Sequence, residues 1–150
     1  MASLQAINDF LSKKDLAIAG VSRNTKKFGF MVFQELKKKG YNLYPINPNA
    51  DKIDNSICYK SVSDLPTSAT NLYIVTPKIN TEQIIKDAIA KGIKNIWIQQ
   101  KSETAEALSI ASENGVNLVY GECIIMFISP NESYHKFHRF IRSIFGKMPH

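Results

Sequence analysis

The sequence predicts an α/β fold: a doubly wound parallel sheet of about five strands in a three-layer α/β/α arrangement, followed by a C-terminal amphipathic helix. Short apolar runs recur along the chain at 16–19, 42–47, 71–76, 95–99 and 116–120. They are nearly continuous in apolar character, as strands buried on both faces are. Several are followed by segments with apolar residues at helical spacing, ended by Gly40, Gly92 and Gly115. Alternating strands and helices give a parallel sheet, and right-handed crossovers wind it in both directions. A length of 150 residues suits one domain with a real core.

Residues 3–12 read as a short helix, with Ser3 as its cap and Ile7, Phe10 and Leu11 on one face. The first strand is 15–20. A loop and a helix over about 27–39 follow, with Phe28, Val32, Phe33 and Leu36 on its apolar face and Gly40 closing it. The second strand, 42–47, runs into Asn47-Pro48-Asn49. Residues 50–70 are polar and irregular, with a short helical turn at Asp64-Leu65-Pro66. The third strand, 71–76, stops at Pro77. Asn80 is the expected cap of the next helix, with Gln83 in the capping-box position, and Gly92 ends it. The fourth strand is 95–99. Ser102 is the expected cap of a helix that Gly115 ends, and 116–120 is the fifth strand.

The chain has an ordinary globular composition, 44% hydrophobic and 21% charged. No apolar run approaches the ~20 residues needed to span a bilayer. Asp9 interrupts the N-terminal segment, which carries no basic region ahead of an apolar stretch, so a secretory signal is not expected and the protein reads as cytoplasmic. Cys58 and Cys123 lie far apart and are expected to be free thiols. The three histidines have no cysteine neighbours, so zinc is not expected. The net charge of +6 points to a solvated lysine surface or an anionic partner. No aromatic–basic interleaving or helix-turn-helix pattern supports a nucleic acid as that partner.

The loop after the first strand, GVSRNTKKFG from Gly20 to Gly29, is the first candidate site. A helix start presents unpartnered N–H groups and attracts anions. Gly20 permits a sharp turn. Lys26 and Lys27 stand at the helix start, where the macrodipole disfavours cations, and an anion there accounts for them. The dinucleotide fingerprint is absent, because Ser22 and Thr25 occupy its second and third glycine positions. The strand-two end carries Asn47 instead of the acidic residue that binds ribose hydroxyls in NAD sites. Asn47, Arg23, Lys26 and Lys27 suit a phosphorylated ribose, as in NADP or coenzyme A. No nucleophile–histidine–acid constellation is present. Cys123 and Glu122 after the last strand keep open a small enzyme acting on a thioester, which requires a low thiol pKa at Cys123.

Residues 1–128 therefore read as one domain and 129–150 as a tail, not a separate domain. Ser129-Pro130-Asn131-Glu132 is a capping box with proline at the first helical position. Phe137, Phe140, Ile141, Ile144 and Phe145 share one helical face, and Lys136, Arg139 and Arg142 lie off it. The tail is expected to pack on the body, on a second copy or on a partner protein, or to lie on a membrane surface or nucleic acid.

Six motifs in order resemble the stand-alone CoA-binding domain family, related to the CoA-binding domain that opens the succinyl-CoA synthetase alpha subunit. GVSRNTKKFG resembles the family's G-A-S-x-x-x-x-K-x-G. YPINP at 44–48, SVSDLP at 61–66, Val75-Thr76-Pro77, KNIWIQQ at 94–100 and Gly121-x-Cys123-Ile124 follow. Gln100-Lys101 depart from the Pro-Gly that usually follows the family's glutamine. The likeness covers about 13–126. It implies a Rossmann-like fold and a site for CoA or an acyl-CoA over the carboxyl ends of strands one to three. Gly20, Val21, Ser22 and Arg23 would bring N–H groups to the pyrophosphate, and Lys26 or Lys27 would neutralise phosphate. Asn47 and Pro48 would flank the nucleotide, and Thr76 and Pro77 would close the other side. The chain is too short for the synthetases' phosphohistidine and nucleotide-grasping domains, so binding without ligase chemistry is expected. An NAD(P)-binding redox or regulatory module is the alternative ligand reading.

Overall fold

The computed structural model describes residues 2–128, so the tail expected to form a helix from Ser129 lies outside the described residues. Helix α1 (Leu4–Ser12) starts where the Ser3 hydroxyl accepts the Ala6 N–H at 3.1 Å. Strand β1 (Asp15–Ala19), helix α2 (Phe28–Lys38) and strand β2 (Asn42–Ile46) follow. The stretch without periodicity holds a two-stranded hairpin, β3 (Lys52–Ile53) and β4 (Ser56–Ile57), and a 3-10 turn at Val62–Asp64. Then come β5 (Asn71–Ile74), α3 (Lys78–Lys91), β6 (Asn95–Gln99), α4 (Ala105–Glu113), β7 (Asn117–Glu122) and α5 (Ile125–Ile128).

Five strands form one parallel sheet in the order β2-β1-β5-β6-β7. The chain leaves β1 in one direction to make β2, then returns across it to make β5. This reversal opens a crevice beyond the carboxyl ends of β1 and β5. Alternation along the strands divides the core in two. Leu16, Ile18, Tyr73 and Trp97 pack with Ile7 and Phe10 of α1, Val32 and Phe33 of α2, and Ile125 of α5. Ala17, Ala19, Leu72, Ile74, Ile96 and Ile98 pack with Ile85 of α3 and Ala107 and Ala111 of α4. Trp97 is fully buried, edge-on to Phe10 at 5.5 Å and to Phe127 at 5.7 Å. No helix among the described residues is long and apolar enough to cross a membrane.

Two helix starts differ from the sequence expectations, each for a local reason. Helix α3 begins at Lys78, with Pro77 at the cap position, and Asn80 lies inside its first turn. Gln83 does not reach back to a cap; its side-chain amide donates to Asp87 at 2.9 Å. Helix α4 is capped by Thr104, whose hydroxyl accepts the Ala107 N–H at 3.1 Å. Ser102 is unavailable as a cap because its hydroxyl donates to the Thr76 carbonyl at 2.8 Å.

Candidate functional site

A cavity of about 520 Å³ occupies the crevice at the carboxyl ends of β1, β2 and β5. Its base is Ala19-Gly20-Val21-Ser22. Gly20 has φ +107, and a Cβ there would lie 2.7 Å from the carbonyl carbon and oxygen of Val75. A Cβ on Gly29 would lie 2.5 Å from the Gly20 oxygen. One glycine thus lets the loop lie against the end of β5, and the other lets α2 start directly behind the loop. Close helix–strand approach is the task of the third glycine in dinucleotide loops; here a longer loop moves it to position 29.

The loop also folds on itself. Asn24 N–H donates to the Ser22 hydroxyl at 3.0 Å, Lys26 N–H to the Asn24 side-chain oxygen at 3.0 Å, and Lys27 N–H to the Asn24 carbonyl at 3.0 Å. The N–H groups of Ser22 and Arg23 have no hydrogen-bond partner among the described residues. Lys27 stands at the cap position of α2 without a side-chain cap bond.

On one side the wall is Ile46-Asn47-Pro48-Asn49, backed by Lys60-Ser61-Val62. Asn47 braces this corner. Its side-chain N–H donates to the Val21 carbonyl at 2.8 Å, and its side-chain oxygen accepts the Asn49 N–H at 2.8 Å. Its backbone N–H donates to the Tyr59 carbonyl at 2.9 Å, and Tyr59 N–H donates to Pro45 at 2.8 Å. The chain around Tyr59 thereby extends the sheet beyond β2. On the other side are Thr76, Pro77 and the α3 face formed by Ile79, Asn80, Gln83, Ile84 and Asp87. The Thr76 end is fixed by Ser102, which also accepts the Thr81 hydroxyl through its carbonyl at 2.7 Å.

Seven of the ten residues expected at the site line this cavity: Gly20, Val21, Ser22, Asn47, Pro48, Thr76 and Pro77. Arg23, Lys26 and Lys27 are exposed on the same loop, outside its lining. Lys60, Ser61 and the α3 face were not expected. The first two lie in the stretch without periodicity. The α3 residues 79, 83 and 87 share a helical face, but a helix taken to begin after Asn80 hides the first of them.

The profile of the CoA binding domain family matches residues 14–129. The chain belongs to the CoA-binding domain family. The ADP-forming acetate–CoA ligase II of Archaeoglobus fulgidus is 31% identical over 124 residues, which cover 75% of this chain and 18% of the ligase. The alpha subunit of the ADP-forming acetate–CoA ligase II of Pyrococcus furiosus is 29% identical over 126 residues, covering 77% of this chain and 28% of the subunit. This CoA-binding domain thus spans less than a third of either relative. A conserved hypothetical protein of Pyrococcus furiosus, of known structure, has 32% identity and a TM-score of 0.73. The likeness covers 76% of this chain and 98% of that one, so that protein is little more than the shared domain.

The CoA-binding domain keeps Cys123 away from the cavity. Its thiol is buried near Gln99, whose side-chain oxygen accepts the Tyr73 hydroxyl at 2.7 Å and the Ile124 N–H at 3.2 Å. Burial pushes the thiol above its ordinary 9.0, opposite to the shift an activated nucleophile needs. Burial likewise pushes the Tyr73 hydroxyl well above 10.0. Both groups stay protonated in the fold while the unfolded chain releases their protons, so they contribute stability at lower pH that is lost as pH rises past the unfolded values. Unfolding free energy from denaturant titrations is expected to hold steady from about pH 7 to 8.5 and fall above about pH 9. Burial pushes the Cys58 thiol up as well, so it shares in this fall. Cys123→Ala is expected to make the fall above about pH 9 shallower, and an unchanged slope would contradict the assignment. The departure at Gln100-Lys101 also has a structural reading. Lys101 has φ +75, a left-handed conformation, at the position where the family pattern has glycine.

Proposed function

We propose that the chain binds coenzyme A, free or acylated, in the cavity at the carboxyl ends of β1, β2 and β5, without ligase chemistry of its own. The observation that carries this reading is convergence. Residues from three separated motifs, at 20–22, 47–48 and 76–77, surround one cavity at the switch in strand order. Its volume falls within the roughly 300–1,000 Å³ of small-molecule sites. The N–H groups of Ser22 and Arg23, without partners among the described residues, and the start of α2 suit the pyrophosphate. Asn47 leaves the end of β2 without a carboxylate, which favours a phosphorylated ribose over the bare ribose hydroxyls of NAD. Lys26 and Lys27 stand outside the lining and meet phosphate at the cavity mouth. No activated nucleophile among the described residues lines the cavity, and the ligase relatives are several times longer.

Thermal unfolding with CoA, acetyl-CoA, NAD, NADP and ADP, each alone, tests the ligand. CoA at a hundredfold its dissociation constant is expected to add about 2.7 kcal/mol and raise Tm by roughly 5–10 °C. A rise with NAD or NADP and none with CoA would overturn the reading. Replacing Lys26 and Lys27 together with alanine is expected to weaken CoA binding by about 1 kcal/mol, less at high salt, since both are exposed. Calorimetric affinity equal to wild type would remove them from the site.

A further inference from the structure

We propose that Lys60 determines specificity for a phosphate monoester on the ligand, and that the Asp51 carboxylate holds its ammonium in place until that phosphate arrives. The proposal rests on the CoA reading above. Lys60 is the one cationic side chain among the described residues that line the cavity. It stands beside Asn47 at the end of β2, across from the α3 face. In sheets of this class, that strand end receives the nucleotide's ribose, and a cation nearby accommodates a phosphate on it. The pyrophosphate is assigned to the Ser22 and Arg23 N–H groups, so a cation on this separate wall serves a second phosphate. CoA carries such a group on its ribose, and dephospho-CoA lacks it.

The contacts of Lys60 suit a cation held in reserve. Its ammonium donates to the Ala50 carbonyl at 3.0 Å and to the Asp51 carboxylate at 2.8 Å, leaving a third N–H to offer. The Asp51 side chain is 93% exposed and that of Lys60 49% exposed. Exposed ion pairs of this kind hold weakly, so a doubly charged phosphate readily displaces the carboxylate. The Lys60 ammonium keeps the Asp51 carboxyl below its usual value, and the Arg23 charge adds to the effect. Arg23 and Lys60 come from different segments, so two cations share the surroundings of one exposed carboxylate. A phosphate taking its place gains both. In the family pattern this segment is matched at Ser61-Val62-Ser63-Asp64-Leu65-Pro66, which begins immediately after Lys60.

Calorimetric titration with CoA and with dephospho-CoA, on wild type, Lys60→Gln, Lys60→Arg and Asp51→Asn, provides the test. Wild type is expected to prefer CoA by about tenfold or more. Lys60→Gln is expected to lose about tenfold for CoA and nothing for dephospho-CoA, while Lys60→Arg keeps the preference. Asp51→Asn is expected to tighten CoA more than dephospho-CoA, and to lose that difference when combined with Lys60→Gln. Equal losses for both ligands in Lys60→Gln, or no loss, would overturn the role of Lys60 and leave the CoA reading standing. Failure of wild type to bind either ligand would overturn the CoA reading, and the Lys60 proposal with it.

Discussion

Gly20→Ala is expected to destabilise the fold by about 2–5 kcal/mol, the largest effect of any single methyl group added at the site. Two costs combine. The backbone at φ +107 is one that a side chain rarely adopts, and the added carbon meets the Val75 carbonyl at 2.7 Å. Both contacted atoms are backbone of the strand end, which is anchored in the sheet by the Val75 N–H to Ala19 carbonyl bond at 2.8 Å. No flexible side chain can yield, so the loop must lift. Gly29→Ala meets the other side of the same arrangement, at 2.5 Å from the Gly20 oxygen, and is expected to cost about 1–3 kcal/mol. The two costs are not expected to add, because a loop already lifted by the first change makes room for the second. Denaturant unfolding of the two single variants and the double variant checks this. Singles within about 0.5 kcal/mol of wild type would mean that the loop does not lie against β5 as described.

Asn47→Ala is expected to weaken CoA binding by about 1–3 kcal/mol, the largest effect on affinity from one side chain. The residue holds the Val21 carbonyl and the Asn49 N–H, and so ties the loop after β1 to the turn after β2. Its removal leaves both groups without that partner and lets two cavity walls move independently. Asn47→Asp is expected to bind CoA still more weakly: it keeps the acceptor for Asn49, loses the donor to Val21, and adds a negative charge beside an anionic ligand. Asn42 at the opposite end of β2 is the control. It donates to Asp15 at 2.8 Å, far from the cavity, so Asn42→Ala is expected to cost stability and leave affinity unchanged. Titration calorimetry on the three variants checks the order. Equal affinity in wild type and Asn47→Ala would remove the bracing role.

The five-strand sheet was legible because strands buried on both faces read as continuous apolar runs, and because glycines mark three helix ends. Element starts were less legible where a polar side chain had a choice of partners. Ser102 reads as a helix cap, yet its hydroxyl is committed to Thr76, beyond the end of the preceding strand, and Thr104 takes the task. The β3–β4 hairpin was hidden because its strands are two residues each, too short for any period. Of the residues expected at the site, Gly20, read as a sharp turn, and Asn47-Pro48 and Thr76-Pro77, implied by the family resemblance, line the cavity. Lys26 and Lys27 stand out by charge, and charge does not say where a long side chain points; Arg23 is expected at the site for its backbone N–H, and its exposed side chain lies outside the lining. Lys60 was invisible for the converse reason: a lone lysine in an irregular stretch becomes a cavity residue only once Tyr59 bridges to the end of β2.

The location of the ligand is the central claim, and amide hydrogen exchange with and without saturating CoA tests it most directly. The expected result is slowed exchange confined to 20–24, 46–49, 60–62 and 76–80, the segments around the cavity. Slowed exchange at β7 and α5 with these segments unchanged would place CoA elsewhere on the fold and contradict the account.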